Sequence, residues 1–366
     1  MSEAAANDGG PGGAGAAGVK FATVRNEAGD SLPVARGGGG LAGLLEFVEH
    51  HRGWLHDQLH TRGAALLRGF GLRTPAEFET AARAVEPELK NEYLGTSPRD
   101  ALTPYVFSAS ELPPYYPIPQ HCEMTFVKTP PRRLMFACLV APTGGGGETP
   151  LCDMRTVAAE LDPAVRGRFE RGGIRIIRNY DGPSGKGFLD LWQLKRWDEL
   201  FQTTDRAVVE AKAAAEGVFT DLSWGPGDRL RLISEHDALR AHPETGVPVW
   251  FNHVQIFHPA AAAGEYLRIA RRQGPRLRYL GLAAFATAMV ALKRRLAKDE
   301  EQAMFCSYGD GSPISDAEVG AVRAAIWQNL AFPRWRQGDV MAIDNRAIGH
   351  GRMPYLGPRR VVVAWA

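Results

Sequence analysis

Apolar residues recur along this chain at two spacings, and each predicts its own elements. Leu41, Leu44, Leu45, Val48, Trp54, Leu55 and Leu59 follow a helical period, which predicts one amphipathic helix from about 41 to 61. Thr74-Pro75-Ala76-Glu77 has the form of a helix start, with a capping threonine, proline in the first position and a carboxylate in the third, for a helix ending near Val85. Short extended runs at 21–24, 32–34, 64–70 and 105–107 read as strands, and 134–140 is apolar throughout, as a central strand covered on both faces would be. Further strands are expected at 174–180, 230–233, 248–253 and 359–365, helices at 154–169, 189–200 and 205–216, and a mobile loop at 182–187. Short strands with Gly/Pro turns, interrupted by helices, predict a mixed α/β protein with a double-stranded β-helix (jelly-roll, cupin-like) core.

Composition narrows the picture without changing it. The 366 residues are 45% hydrophobic and 23% charged, enough to bury a sizeable core. Residues 1–18 read as a disordered Gly/Ala-rich tail, and 19–366 as a single domain with helical insertions at about 186–225 and 260–300. With 43 basic and 41 acidic residues the net charge is +2, so neither nucleic acid nor an anionic membrane is an expected partner. Cys122, Cys138, Cys152 and Cys306 show no paired spacing, which fits a reducing, cytoplasmic setting and speaks against a structural zinc site. One segment stands apart in charge. From 266 to 298 there is no Asp or Glu but there are nine Lys and Arg residues, which reads as a solvated helical pair or as a docking face for an acidic partner.

The candidate chemistry lies in Pro119-Gln120-His121-Cys122-Glu123-Met124. If this segment is extended, His121 and Glu123 face one point while Cys122 faces away. A second histidine, His350, sits between Gly349 and Gly351. Two histidines and one carboxylate on one face of a metal, with the opposite face open, is the ligand set of non-haem Fe(II) oxygenases. The second His-x-Glu, His242-Pro243-Glu244, lies in a turn sequence and reads as a solvated hairpin. His236, His253 and His258 read as hydrogen-bonded or surface histidines.

With Gly95-Thr96-Ser97-Pro98-Arg99, Gly147-Glu148-Thr149-Pro150, Tyr308-Gly309-Asp310-Gly311 and Asp344-Asn345 through His350 to Arg359-Arg360 added to that motif, residues 60–366 resemble the TauD/TfdA-type Fe(II)/2-oxoglutarate-dependent dioxygenases, and within them the SyrP-like subgroup. The resemblance implies Fe(II), 2-oxoglutarate and O2, with Thr149 and Arg360 holding the distal carboxylate of 2-oxoglutarate. Arg359 is the alternate, because adjacent strand residues point to opposite faces and only one enters the barrel. Arg352 reads as a rim residue. Glu123 implies hydroxylation and not halogenation, since related halogenases place a small residue there, and Ala364, where taurine-type enzymes carry a sulfonate-binding arginine, speaks against taurine. The subgroup implies an amino-acid-like substrate from natural-product biosynthesis, free or tethered to a carrier protein that would dock on 266–298. Arg178, Asn179 and Asn252 are the candidate substrate contacts. Desaturation, epoxidation and cyclisation need the same machinery. A silent jelly-roll binding protein and a zinc hydrolase are the competing classes, and neither needs the full set of five residues.

Overall fold

The computed structural model describes residues 18–25, 31–93, 95, 99–185, 195–216, 219–273 and 276–366. The expected tail, except for residue 18, and the first part of the helix expected at 189–200 lie outside them. A seven-stranded sheet runs in the order Lys20–Arg25, Ser31–Arg36, Ala64–Arg68, Val340–Asp344, Arg133–Val140, Arg360–Trp365, Phe107–Ser108. A four-stranded sheet of Leu330–Ala331, Leu151–Asp153, Ile348–Arg352 and Ile118–His121 forms the second layer. Arg133–Val140 is an inner strand, flanked by Val340–Asp344 and Arg360–Trp365, and its alternate residues serve two cores. Met135, Ala137 and Leu139 meet Phe47, Leu55 and Phe78 of the covering helices, whereas Leu134, Phe136 and Cys138 join Leu151, Ile348 and Trp365 between the sheets.

Where the helices differ from the sequence reading, local chemistry explains it. The run 41–61 is two helices, Gly40–His50 and Arg52–Thr61, broken at His51, whose φ of −117° and ψ of 23° leave the helical region. The run 154–169 is also two, Met154–Glu160 and Pro163–Gly172. Asp162 accepts from the amides of Ala164 and Val165 and Pro163 opens the new helix, so the first cannot continue through it. At Thr74 the expected capping box is present in full, before the helix Pro75–Val85.

Of the insertion expected at 186–225 to be helical, Trp197–Phe201 and Arg206–Glu216 are helices, but Phe219–Gly225 is a strand. It edges a further sheet with Arg229–His236, Ile174–Tyr180 and Met304–Ser307. The later insertion is a helical pair, Ala261–Arg272 and Arg276–Leu296, packed on each other. Tyr266, Ile269, Tyr279 and Ala283 bury Met353, three positions after His350, so the pair stands beside the strand that carries that histidine. Its outer face exposes Leu277, Leu280, Phe285, Leu292 and Leu296. Among the described residues no helix is long and apolar enough to cross a membrane, and the four cysteines are free and buried.

Candidate active site

Backbone register brings the two histidines together. Ile348–Arg352 pairs antiparallel with Ile118–His121, and His350 is the direct cross-strand partner of His121. Directly opposed residues share a face, and the imidazole centroids are 4.7 Å apart. The register slips between His350 and Arg352. Gly351 permits this, since a Cβ there would lie 2.4 Å from the Ile118 carbonyl oxygen, and one at Gly349 would lie 2.0 Å from Cε of Met154. The glycines therefore admit neighbouring strand and helix.

Glu123 completes the set by a different route from the one expected. The strand ends at His121, and Glu123 opens a turn in which Met124 has a φ of +53°. Asn345 fixes this turn: its Oδ1 accepts from the Glu123 amide at 2.6 Å, and its Nδ2 donates to the carbonyls of Glu123 and Pro131 at 3.0 and 2.8 Å. Cys122 is buried away from the ligands, in a core cluster with Met154 and Trp250.

Ligand atoms of His121, Glu123 and His350 lie within 4.8 Å of one another, and Nε2 of His350 is 3.7 Å from Oε2 of Glu123. His121 Nδ1 lies 2.9 Å from the Pro119 carbonyl, which fixes that nitrogen as the donor and leaves Nε2 free to ligate. Burial lowers the pKa of His121 and holds that of His350 well below the usual imidazole range, the latter aided by His121, Arg99 and His253 nearby. Both rings are thus neutral at pH 7, as ligation requires. Two neutral imidazoles and a carboxylate fit Fe(II).

The carboxylate is also held from the other side. Arg99 Nη2 donates to Oε2 of Glu123 at 2.6 Å and Tyr93 donates its hydroxyl to Oε1 at 3.2 Å. Phe136, His253, Ile256 and Phe257 line the same cleft. His253 makes tilted ring contacts with Phe126 and Phe257, its Nδ1 is 2.6 Å from the Thr125 hydroxyl, and burial holds it neutral.

In the same cleft, Thr149 and an arginine meet, but the arginine is Arg359. Arg359 Nε donates to the Gly147 carbonyl at 2.8 Å and Nη2 to Oγ1 of Thr149 at 3.4 Å, whereas Arg360 is exposed. The order of preference between the two is therefore reversed. Arg360 sits opposite Val140, itself 38% exposed, whereas Arg359 falls by strand alternation on the face of Val361, Val363 and Trp365, which join the core between the sheets. Trp335 also donates to Oγ1 of Thr149, at 3.0 Å, leaving the Thr149 hydroxyl proton to point elsewhere. Burial pushes the Arg359 guanidinium down to about 10, still cationic at neutral pH.

The candidate substrate residues are not brought to the cleft. Asn179 donates to the carbonyls of Glu300 and Gln302, and Asn252 bridges the Ala238 carbonyl and the Val254 amide, so both amides are taken up by backbone. Arg178 is buried behind Phe126, 4.1 Å from the ring centroid, donating to the Tyr180 hydroxyl. Arg352 is not on the rim but buried, donating to the carbonyls of Leu112, Pro113 and Tyr116. His242 is not solvated either. It lies in the expected turn, between Leu239–Ala241 and Pro248–Trp250, but is buried and donates to Asp344 at 3.2 Å.

The sequence matches the family described as "Taurine catabolism dioxygenase TauD, TfdA family" over residues 30–365. The chain belongs to this family. Fe(II), 2-oxoglutarate and O2 are what TauD/TfdA dioxygenases require, and this member has an iron-type ligand set in place. Among curated relatives, it is 31% identical to the dapdiamide synthesis protein DdaC of Enterobacter agglomerans, covering 88% of this chain and 87% of that one. It is 28% identical to a clavaminate synthase-like protein of Arabidopsis thaliana, covering 88% and 86%. The PvcB protein of Pseudomonas aeruginosa shares the fold, with a TM-score of 0.51 at 14% identity over 95% of this chain and 91% of that one.

Proposed function

We propose that this TauD/TfdA dioxygenase hydroxylates an unactivated C–H bond of an amino acid or amino-acid-derived substrate in natural-product biosynthesis, with His121, Glu123 and His350 as iron ligands. The observation that carries this is the cleft itself, lined both by the three-residue ligand set and by Thr149 with Arg359. The name of the 31% identical relative, a dapdiamide synthesis protein, supports the natural-product setting. Bound iron and 2-oxoglutarate supply the oxidising chemistry. The chain's own residues do the rest. Arg359 meets the distal carboxylate of 2-oxoglutarate with a charge-assisted hydrogen bond, Thr149 donates its free proton to the same group, and Phe136, Phe126 and Phe257 keep water from the reacting face.

A carrier-tethered substrate would find a basic, apolar face in the helix Arg276–Leu296, beside the His350 strand. Anaerobic titration with Fe(II) and 2-oxoglutarate tests the site reading. A weak visible charge-transfer band is expected in the wild type, lost in Glu123→Ala and weakened in Arg359→Ala. An iron-loaded wild type without the band, and without succinate formation on any candidate substrate, overturns the assignment.

A further inference from the structure

Arg99 is the cleft residue that the metal and co-substrate sites leave without an assignment. Its side chain is 5% exposed. Nη1 donates to the Ala109 carbonyl at 2.7 Å and more weakly to that of Ser108 at 3.4 Å, Nη2 donates to Oε2 of Glu123, and Nε is buried with no partner. The face of Tyr93 lies 4.7 Å from the guanidinium carbon. Among the described residues, Glu123 is thus the single carboxylate with which Arg99 forms an ion pair.

A metal held by Glu123 would compete with that pairing. Oε2, the oxygen held by Arg99, is also the oxygen 3.7 Å from Nε2 of His350, whereas Oε1 is held by Tyr93. A dication between His121, His350 and Glu123 draws on the charge that now neutralises Arg99. Charge accounting points the same way. With the dication, Glu123, dianionic 2-oxoglutarate, Arg359 and Arg99 in place, the buried site keeps one positive charge in excess. Arg352 and Glu148, both near Arg359, offset each other, and Arg178 behind Phe126 adds further positive potential. A buried cation without a counter-charge is strongly disfavoured unless an anion joins it.

The geometry points to Arg99 as the anchor for a carboxylate of the substrate in the cleft that it lines with the metal ligands. This deepens the proposed function and rests on it. It narrows the substrate to a free acid, or to one with a second carboxylate, because a carrier thioester has given up the charge of the carboxyl through which it is attached.

The test compares acids with their neutral amides at fixed ionic strength. Acetate against acetamide, and the proteinogenic L-amino acids against their carboxamides, are titrated into the anaerobic Fe(II)·2-oxoglutarate protein, with perturbation of the charge-transfer band as readout. At least one acid is expected to bind about tenfold or more tightly than its amide, as loss of a charge-assisted pair implies. Arg99→Gln is expected to abolish that preference while keeping the band and the affinity for Co(II) or Mn(II). Arg99→Lys, which keeps the charge if the glutamine variant does not fold, is expected to retain part of the preference. Equal binding of every acid and amide by a wild type with an intact band overturns the proposal. So does a tenfold or greater loss of metal affinity in folded Arg99→Gln, which makes Arg99 a prop for Glu123. A wild type with no band at all is instead a failure of the active-site reading, and the carboxylate anchor falls with it.

Discussion

Arg359 and Arg360 differ by one position and by everything that matters to a ligand. Removing the buried, preorganised guanidinium of Arg359 forfeits a charge-assisted contact worth about 2–3 kcal/mol. Arg359→Ala is therefore expected to weaken 2-oxoglutarate binding by roughly 30- to 150-fold, and Arg360→Ala by less than about twofold. Equilibrium titration of the two variants separates them. The histidines carry a pH dependence whose sign follows from burial. His253 and His350 lie well below the ordinary imidazole range and His236 is pushed down to about 4, in each case chiefly by desolvation. Imidazoles of the unfolded chain take up protons near pH 6.5 while these resist, so below that pH the unfolded state binds more protons. Stability is thus fully present above about pH 6.5 and is lost as pH falls toward the folded values. The metal-free protein should melt at a lower temperature at pH 5.5 than at pH 7.5, and His236→Gln, which removes none of the proposed ligands, should make that difference smaller in calorimetry.

Elements explain which parts of the site could be read from the chain. The histidines and Glu123 were legible because residue types at a given spacing name the chemistry before any fold is known. The strand that should have aligned them was not, since His121 lies on it and Glu123 lies beyond it, steered by Asn345 from the far end of the sequence. For Arg359 alternation holds, since it shares a face with Val361, Val363 and Trp365; what the sequence left open is which of the strand's two apolar faces looks between the sheets. His242 illustrates the same limit: a turn sequence reads as solvated until Asp344 arrives to bury it. At the strand pair itself, Gly351→Ala is expected to force a Cβ against the Ile118 carbonyl and part His350 from His121. A loss of about 1–3 kcal/mol in stability should come with weaker Co(II) binding in spectroscopic titration. Gly320→Ala, in the helix Asp316–Gln328 with open space at its Cβ, is the contrasting change and should stabilise by about 0.5–1 kcal/mol.

For the whole molecule, the exposed helix face beside the site makes a prediction that separates a tethered substrate from a free one. Charge reversal at Arg278 and Arg295, both exposed on the helix Arg276–Leu296, should reduce turnover of a carrier-loaded substrate in a salt-dependent way if an acidic carrier docks there. Turnover of the same acid presented free should not change. Kinetics at two ionic strengths give the comparison. A last consequence lies in the order of synthesis. The strand Arg360–Trp365 is an inner strand of the large sheet, flanked by Arg133–Val140 and Phe107–Ser108, and His350 precedes it by ten positions. A growing chain therefore owns His121 and Glu123 long before it has a third ligand, an arginine for the co-substrate, or the strand that closes the barrel over them. Until residues 350–365 emerge, the nascent chain lacks the groups that the proposed oxygen-activating centre needs.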